Sequence, residues 1–161
     1  MFNDKYGLTK AVLEGRKTMT RRMVPGRLVK AIEGGVPGYA VMESKYKVGE
    51  VVAVAQAYKY TCDPALVGDK SGWNNKLFVR ADLMPHQIRI TDIQVMRLQD
   101  ISDQDCLREG CYEEPFISYP WEDKVLDTPR EAFAALIDNI TGNGTWERNP
   151  WVFVYEFELL K

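Results

Sequence analysis

The stretch LTKAVLEGRKTMTRR, residues 8–22, holds the change of pattern from which the rest of the chain can be read. Leu8, Ala11 and Val12 stand at i, i+3 and i+4, the spacing of a short helix, and Gly15 is a natural stop for it. From Lys17 to Met23 the chain turns rich in Thr and Arg, a strand-like texture, before Pro25-Gly26 breaks it. The handover from helix to strand concentrates Arg16, Lys17, Arg21 and Arg22 with the hydroxyls of Thr18 and Thr20. Cations serve an anionic ligand, and hydroxyls serve orientation or attack. The same composition also suits a solvated strand face whose charges keep an edge from aggregating.

Working outward, Lys47-Val48-Gly49-Glu50 reads as a turn feeding a buried strand within 50–58. The Gly34–Gly38 cluster marks a flexible excursion, and Cys62 to Asn75 a long loop before a strand over 76–80. Alternation at Ile88/Arg89/Ile90/Thr91 predicts a long strand over 87–98. Ser102 caps a short helix over 103–108 that Gly110 ends, and Thr128-Pro129 starts a helix over 129–141 with Phe133, Leu136, Ile137 and Ile140 as its apolar stripe. The run 151–159 has strong β propensity. Strands with few, short helices define an α+β, mainly β, fold: a small barrel of about five or six strands with peripheral short helices, the 129–141 helix packed outside it.

At 161 residues, with 45% hydrophobic and 27% charged residues, the chain reads as one domain, 1–161, with a real core. No apolar run is long enough for a membrane helix, and the start Met1-Phe2-Asn3-Asp4-Lys5 is too polar for a signal peptide, so a cytoplasmic protein without a membrane partner is expected. The net charge of −2 conceals an asymmetry: residues 1–60 hold 11 Lys and Arg against 5 Asp and Glu, residues 61–161 hold 10 against 18. Cys62, Cys106, Cys111 and the single histidine, His86, would complete a zinc set by number, but lack the paired spacing of structural zinc. Neither a metal nor a cofactor is expected. Phosphate-loop, zinc-helix, dinucleotide-turn and nucleophile-elbow motifs are absent from the sequence.

The residues at 8–22 resemble the ASCH domain family of the PUA-like fold: an entry helix, then a Gly-Arg/Lys-Lys-Thr-x-Thr-x-Arg signature. Lys47-Val48-Gly49-Glu50 is similar to that family's turn before its second strand, RITDIQVMRLQDISDQDCLREG at 89–110 to its long strand and following helix, and TWERNPWVFVYEF at 145–157 to the closing strand of phage- and prophage-type members. These segments cover about half the chain in the expected order; 23–46 and 111–127 match no part of the pattern.

The resemblance implies a PUA-like barrel with a cleft that binds RNA or a modified nucleoside. It also implies hydrolase activity, since some relatives are amidohydrolases acting on acetylcytidine and ribonuclease activity is attributed to others. Carried over, the catalytic lysine, threonine and glutamate fall on Lys17, Thr20 and Glu109. Arg16, Thr18, Arg21, Arg22, Trp73 and Lys76 are the candidate nucleic-acid or ligand contacts, with the four signature cations forming one positive cleft. The alternatives are a catalytically inactive RNA-binding or adaptor module, and a regulatory protein whose barrel binds another protein.

The chemistry stands beside the resemblance. Amide cleavage needs a nucleophile, a base for its proton, and a donor or cation for the oxyanion. Thr20 can attack, Lys17 can take its proton or steady the oxyanion, and Glu109 can activate water or protonate the leaving amine. Lys17 is read as a surface-cleft lysine that contributes little to the core. A regular strand would point Lys17 and Thr20 to opposite faces, so a turn or bulge must intervene. Trp151 reads as core, Trp73 as a stacking candidate in a polar loop, and Trp121 as a cleft cap or loop anchor.

Overall fold

The computed structural model describes residues 2–61, 71–111, 117–118 and 125–160. Helices α1 (Leu8–Leu13), α2 (Gly26–Glu33) and α3 (Pro37–Met42) flank strands β1 (Met19–Met23) and β2 (Val51–Ala53). Strand β3 (Gln87–Arg97) leads to α4 (Asp103–Arg108). The strands β4 (Ile117–Ser118) and β5 (Val125–Leu126) pair with each other, and α5 (Pro129–Thr141), α6 (Thr145–Arg148) and β6 (Trp151–Leu160) complete the described chain.

Four strands form one antiparallel sheet in the order β1-β6-β3-β2, curled into a half-barrel with short helices around it. This is the mixed arrangement, a curled antiparallel sheet with short peripheral helices, that the sequence led us to expect, with four strands in the main sheet among the described residues rather than five or six. β6 is central and buried on both faces, which is why it reads as a nearly unbroken apolar run. Val152 and Val154 pack with Phe133, Leu136 and Ile137 of α5, while Phe153, Tyr155 and Phe157 join Leu28 and Ile32 of α2 in a second cluster. The sheet therefore separates two cores. β3 follows β6 along nearly its whole length, with one register shift between Ile90 and Asp92.

The capping chemistry appears as expected. Thr128 Oγ1 accepts from the Glu131 amide at 3.2 Å, and Ser102 Oγ from Asp105 at 3.1 Å. The 23–46 segment is mostly helical: Leu28 and Ile32, one helical turn apart, are buried, Pro25-Gly26 both ends β1 and begins α2, and the Gly34–Gly38 cluster is the short turn from α2 into α3 rather than a flexible excursion. The strand expected within 50–58 is confined to 51–53, after which the chain enters a 3-10 turn at Tyr58–Tyr60. No strand forms over 76–80. Phe78 is 84% exposed with its backbone in the left-handed region, which a strand does not adopt, and the run pairs with no partner strand among the described residues.

Among the described residues no helix is long and apolar enough to cross a membrane, and no group of His, Cys, Asp and Glu could hold a metal ion. Cys62 and Trp121 lie outside the described residues.

Candidate active site

Gly15, at φ +73°, reverses the chain at the end of α1, and the Arg16 and Lys17 amides both donate to the Ala11 carbonyl at 2.9 Å. Lys17 thus leaves the helix before β1 begins, and strand alternation does not govern its direction. That is the irregularity the sequence required. A second tight turn follows α4: Glu109 caps the helix, and Gly110, at φ +97°, brings its α-carbon so close that a β-carbon there would lie 3.4 Å from Ala11 and 3.5 Å from Lys17. The Thr18 amide donates to the Arg108 carbonyl at 2.9 Å, and Arg108 reaches Glu156 of β6 at 2.6 Å. These bonds fix the end of α4 against the start of β1.

Lys17 and Glu109 meet inside this junction. Lys17 is 2% exposed and is not a surface-cleft lysine. Its Nζ donates to Glu109 Oε2 at 2.6 Å and to the carbonyls of Glu109 and Met19 at 2.7 Å each, so all three ammonium hydrogens are engaged. Arg21 donates to Glu109 Oε1 at 3.0 Å and approaches Asp105 at 3.6 Å. Glu109, far from an exposed helix residue, is 4% exposed and held by one cation on each oxygen. Desolvation pushes the Lys17 pKa below the ordinary lysine value, and the Glu109 charge only partly offsets it.

Lys17, Thr20, Arg21 and Glu109 line one recess of about 230 Å³ whose other walls are largely apolar, Phe133, Leu136 and Ile137 of α5 among them. Thr20 is also shared with a larger recess of about 560 Å³, bordered by Asn3, Asn74, Asn75 and Lys76, and with a narrow one of about 40 Å³ beside Tyr155. Its hydroxyl, in a residue only 7% exposed, makes no hydrogen bond among the described residues. Arg22 lines the same three recesses.

The other candidate contacts are dispersed. Arg16 pairs with Glu14 at 2.5 Å outside these recesses, and Thr18 Oγ1 accepts from Arg108 at 3.3 Å. Lys17 and Arg21 are neutralised by Glu109 and Asp105, so the four signature cations do not form one positive cleft. Lys76 borders the larger recess and pairs with Asp4 at 2.5 Å, whereas half-buried Trp73 lines none of the three. The sequence did not single out Asp105, although a carboxylate one turn before Glu109 on a short helix is a legible signal. Nor did it show that the α5 stripe, read as core, also walls a recess.

No family model matches the chain, and no curated protein matches it. Two solved structures resemble it over 99% of its length: an ASCH domain from Lactobacillus crispatus, 14% identical over 76% of that chain, and a protein of the DUF984 family from Enterococcus faecalis, 16% identical over 74% of that chain, each with a TM-score of 0.44. Neither speaks to a phage or prophage origin.

Proposed function

We propose that this chain is an amidohydrolase acting on an N-acylated nucleoside, of the acylcytidine type that the sequence resemblance implies. The observation that carries the reading is the Thr20 hydroxyl, enclosed and without a hydrogen-bond partner among the described residues, in a recess that it shares with the buried Lys17–Glu109 pair. An unpartnered hydroxyl that shares a recess with a desolvated lysine can act as a nucleophile with that lysine as its base once substrate is bound.

The reaction begins with a proton passing from Lys17 Nζ to Glu109 Oε2 across their 2.6 Å bond, which leaves a neutral amine. Desolvation of Lys17 favours that transfer, and Arg21 on the other carboxylate oxygen opposes it. The Thr20 hydroxyl then gives its proton to Nζ as Oγ bonds to the amide carbon, and the carbonyl electrons move onto oxygen beside the Arg22 charge. Collapse breaks the C–N bond, Nζ returns the proton to the leaving amine, and water hydrolyses the acyl-threonine ester to a carboxylic acid. The larger recess, with the side-chain amides of Asn3, Asn74 and Asn75 on its walls, suits the hydrogen-bonding edge of a nucleobase.

A binding-only reading rests on Arg22 and Lys76, which both border that larger recess. Incubating the protein with acetylcytidine, benzoylcytidine and a short RNA, followed by mass analysis, separates the two. Loss of an acyl group from a nucleoside, with the RNA intact, supports the amidohydrolase. Retention of RNA at a salt-dependent affinity with both amides unchanged supports the binding module.

A further inference from the structure

The 230 Å³ recess divides into two chemical halves. Lys17, Thr20, Arg21, Arg22, Glu109 and Thr141 are its polar walls, and Leu8, Phe133, Leu136, Ile137 and Val152, all buried, together with the more exposed Met23 and Ile140, are its apolar ones. A polar amine portion finds little to bond with along the apolar walls, whereas the larger recess, which adjoins this one at Leu8, Thr20, Arg22 and Ile140, presents the amides of Asn3, Asn74 and Asn75 and the charge of Lys76. A substrate that places its carbonyl at Thr20 therefore sends its acyl group towards α5 and its amine portion towards Asn74 and Asn75.

The apolar half also bears on size. A cavity of about 150 Å³ lined by Leu, Ile and Phe is dry and large enough to bind benzene. The recess here is larger, at about 230 Å³, and its α5 wall of Phe133, Leu136, Ile137 and Ile140 is of the same kind, with charged and polar residues lining the rest. An acetyl group would leave most of those walls facing empty or watered space. A ring or branched chain would remove them from water, with a gain that grows with the apolar area covered.

We infer that this recess is an acyl pocket for an aromatic or branched aliphatic acyl group, and that the chain prefers bulky N-acyl substrates to N-acetyl ones. The inference rests on the amidohydrolase reading and narrows its substrate class. Ile137 and Ile140, one helical turn apart on α5, set the depth and the mouth of the pocket, since Ile137 is buried and Ile140 is half-exposed and borders both recesses.

The test compares kcat/KM for N4-acetylcytidine and N4-benzoylcytidine, which share their amine portion. The benzoyl compound should be favoured roughly tenfold or more, the scale on which a hydrophobic pocket separates ligands that fill it from ligands that do not. Ile137→Phe, which fills the pocket, should lower the benzoyl-to-acetyl ratio by about the same factor. Ile140→Phe, at the more exposed mouth, provides the same readout if the deeper variant fails to fold. An acetyl compound cleaved as well as or better than the benzoyl one overturns the inference while leaving the amidohydrolase reading intact. So does a ratio that neither variant moves. If neither amide is cleaved, the amidohydrolase reading fails, and the pocket is tested on its own by titrating benzamide and acetamide while following the α5 methyl resonances. Benzamide shifting Leu136 and Ile137 with acetamide silent upholds an aromatic site, and silence with both removes it.

Discussion

Glu109 Oε2 accepts a 2.6 Å hydrogen bond from Lys17 Nζ, although the two residues stand 92 positions apart. Both are almost wholly buried, at 2% and 4% exposure, and meet the outside only through the recess they line, so the pair sits in a largely desolvated junction between α1, β1 and α4. A buried ion pair is weak evidence of net stabilisation, because desolvation consumes much of the Coulomb gain. Breaking it is a different matter, since one charge is then left without its partner.

The first prediction follows from that asymmetry. Glu109→Gln, nearly the same shape, should destabilise the protein by about 3–5 kcal/mol by leaving Lys17 and Arg21 without their shared carboxylate. Lys17→Met in the same background should recover part of the loss, because it removes one of the two stranded cations. Urea titration of the single and double variants measures both. A Glu109→Gln cost below about 1 kcal/mol, the range of exposed pairs, would show the pair to be solvated.

Thr20 separates catalysis from folding. Its hydroxyl faces the recesses and has no hydrogen bond to lose among the described residues, so Thr20→Val should fold with stability within about 1 kcal/mol of the parent. Turnover should vanish in that variant and persist in Thr20→Ser. Full activity in Thr20→Val removes Thr20 as the nucleophile.

The pH dependence of turnover follows from the neutral form of Lys17 being the competent one. Burial lowers its pKa, so kcat/KM should rise with pH through an ionisation below 10.5, the ordinary lysine value. A rate that falls as pH rises through that range dissociates Lys17 from the proton transfer. Where the folded form holds a lysine below its unfolded value, the unfolded chain binds more protons, so Lys17 makes stability increase with pH over that interval.

Cys106 acts in the opposite direction. Burial is the main reason its thiol is pushed up to about 12, from an ordinary value of 9.0, with the neighbouring Cys111 adding to the effect. Between those values the folded protein retains a proton that the unfolded chain has lost, so Cys106 costs stability as pH rises, by up to roughly 4 kcal/mol at the top of the interval. Cys106→Ala should flatten that loss in denaturant titrations run from pH 9 to 12, at the expense of a small cavity near neutral pH.

Ser102 tests how the end of α4 is held. Ser102→Ala removes the acceptor for the Asp105 amide and should cost about 1 kcal/mol of stability, read from the denaturation midpoint. An unchanged midpoint means that packing of Cys106 and the Thr18–Arg108 backbone bond suffice to hold the helix.

The elements with strong local signatures were legible without coordinates. Thr128-Pro129 and the Phe133/Leu136/Ile137 stripe announced α5, Ser102 and Gly110 bracketed α4, and β-branched and aromatic density announced β6. Each signal lies within one turn or one strand, where spacing, caps and propensity act. Lys17, Thr20 and Glu109 were also nameable, through the resemblance of residues 8–22 and 89–110 to a known pattern. Tertiary structure alone decided their surroundings. No local rule says that Lys17 is buried, because lysine is usually exposed and only the arrival of Glu109 from a distant helix compensates its charge. Leu77 and Phe78 are the converse case: apolar enough for a strand, they found no partner edge and stayed exposed. Burial and pairing depend on what the rest of the chain brings to a position, and that is a property of the folded whole.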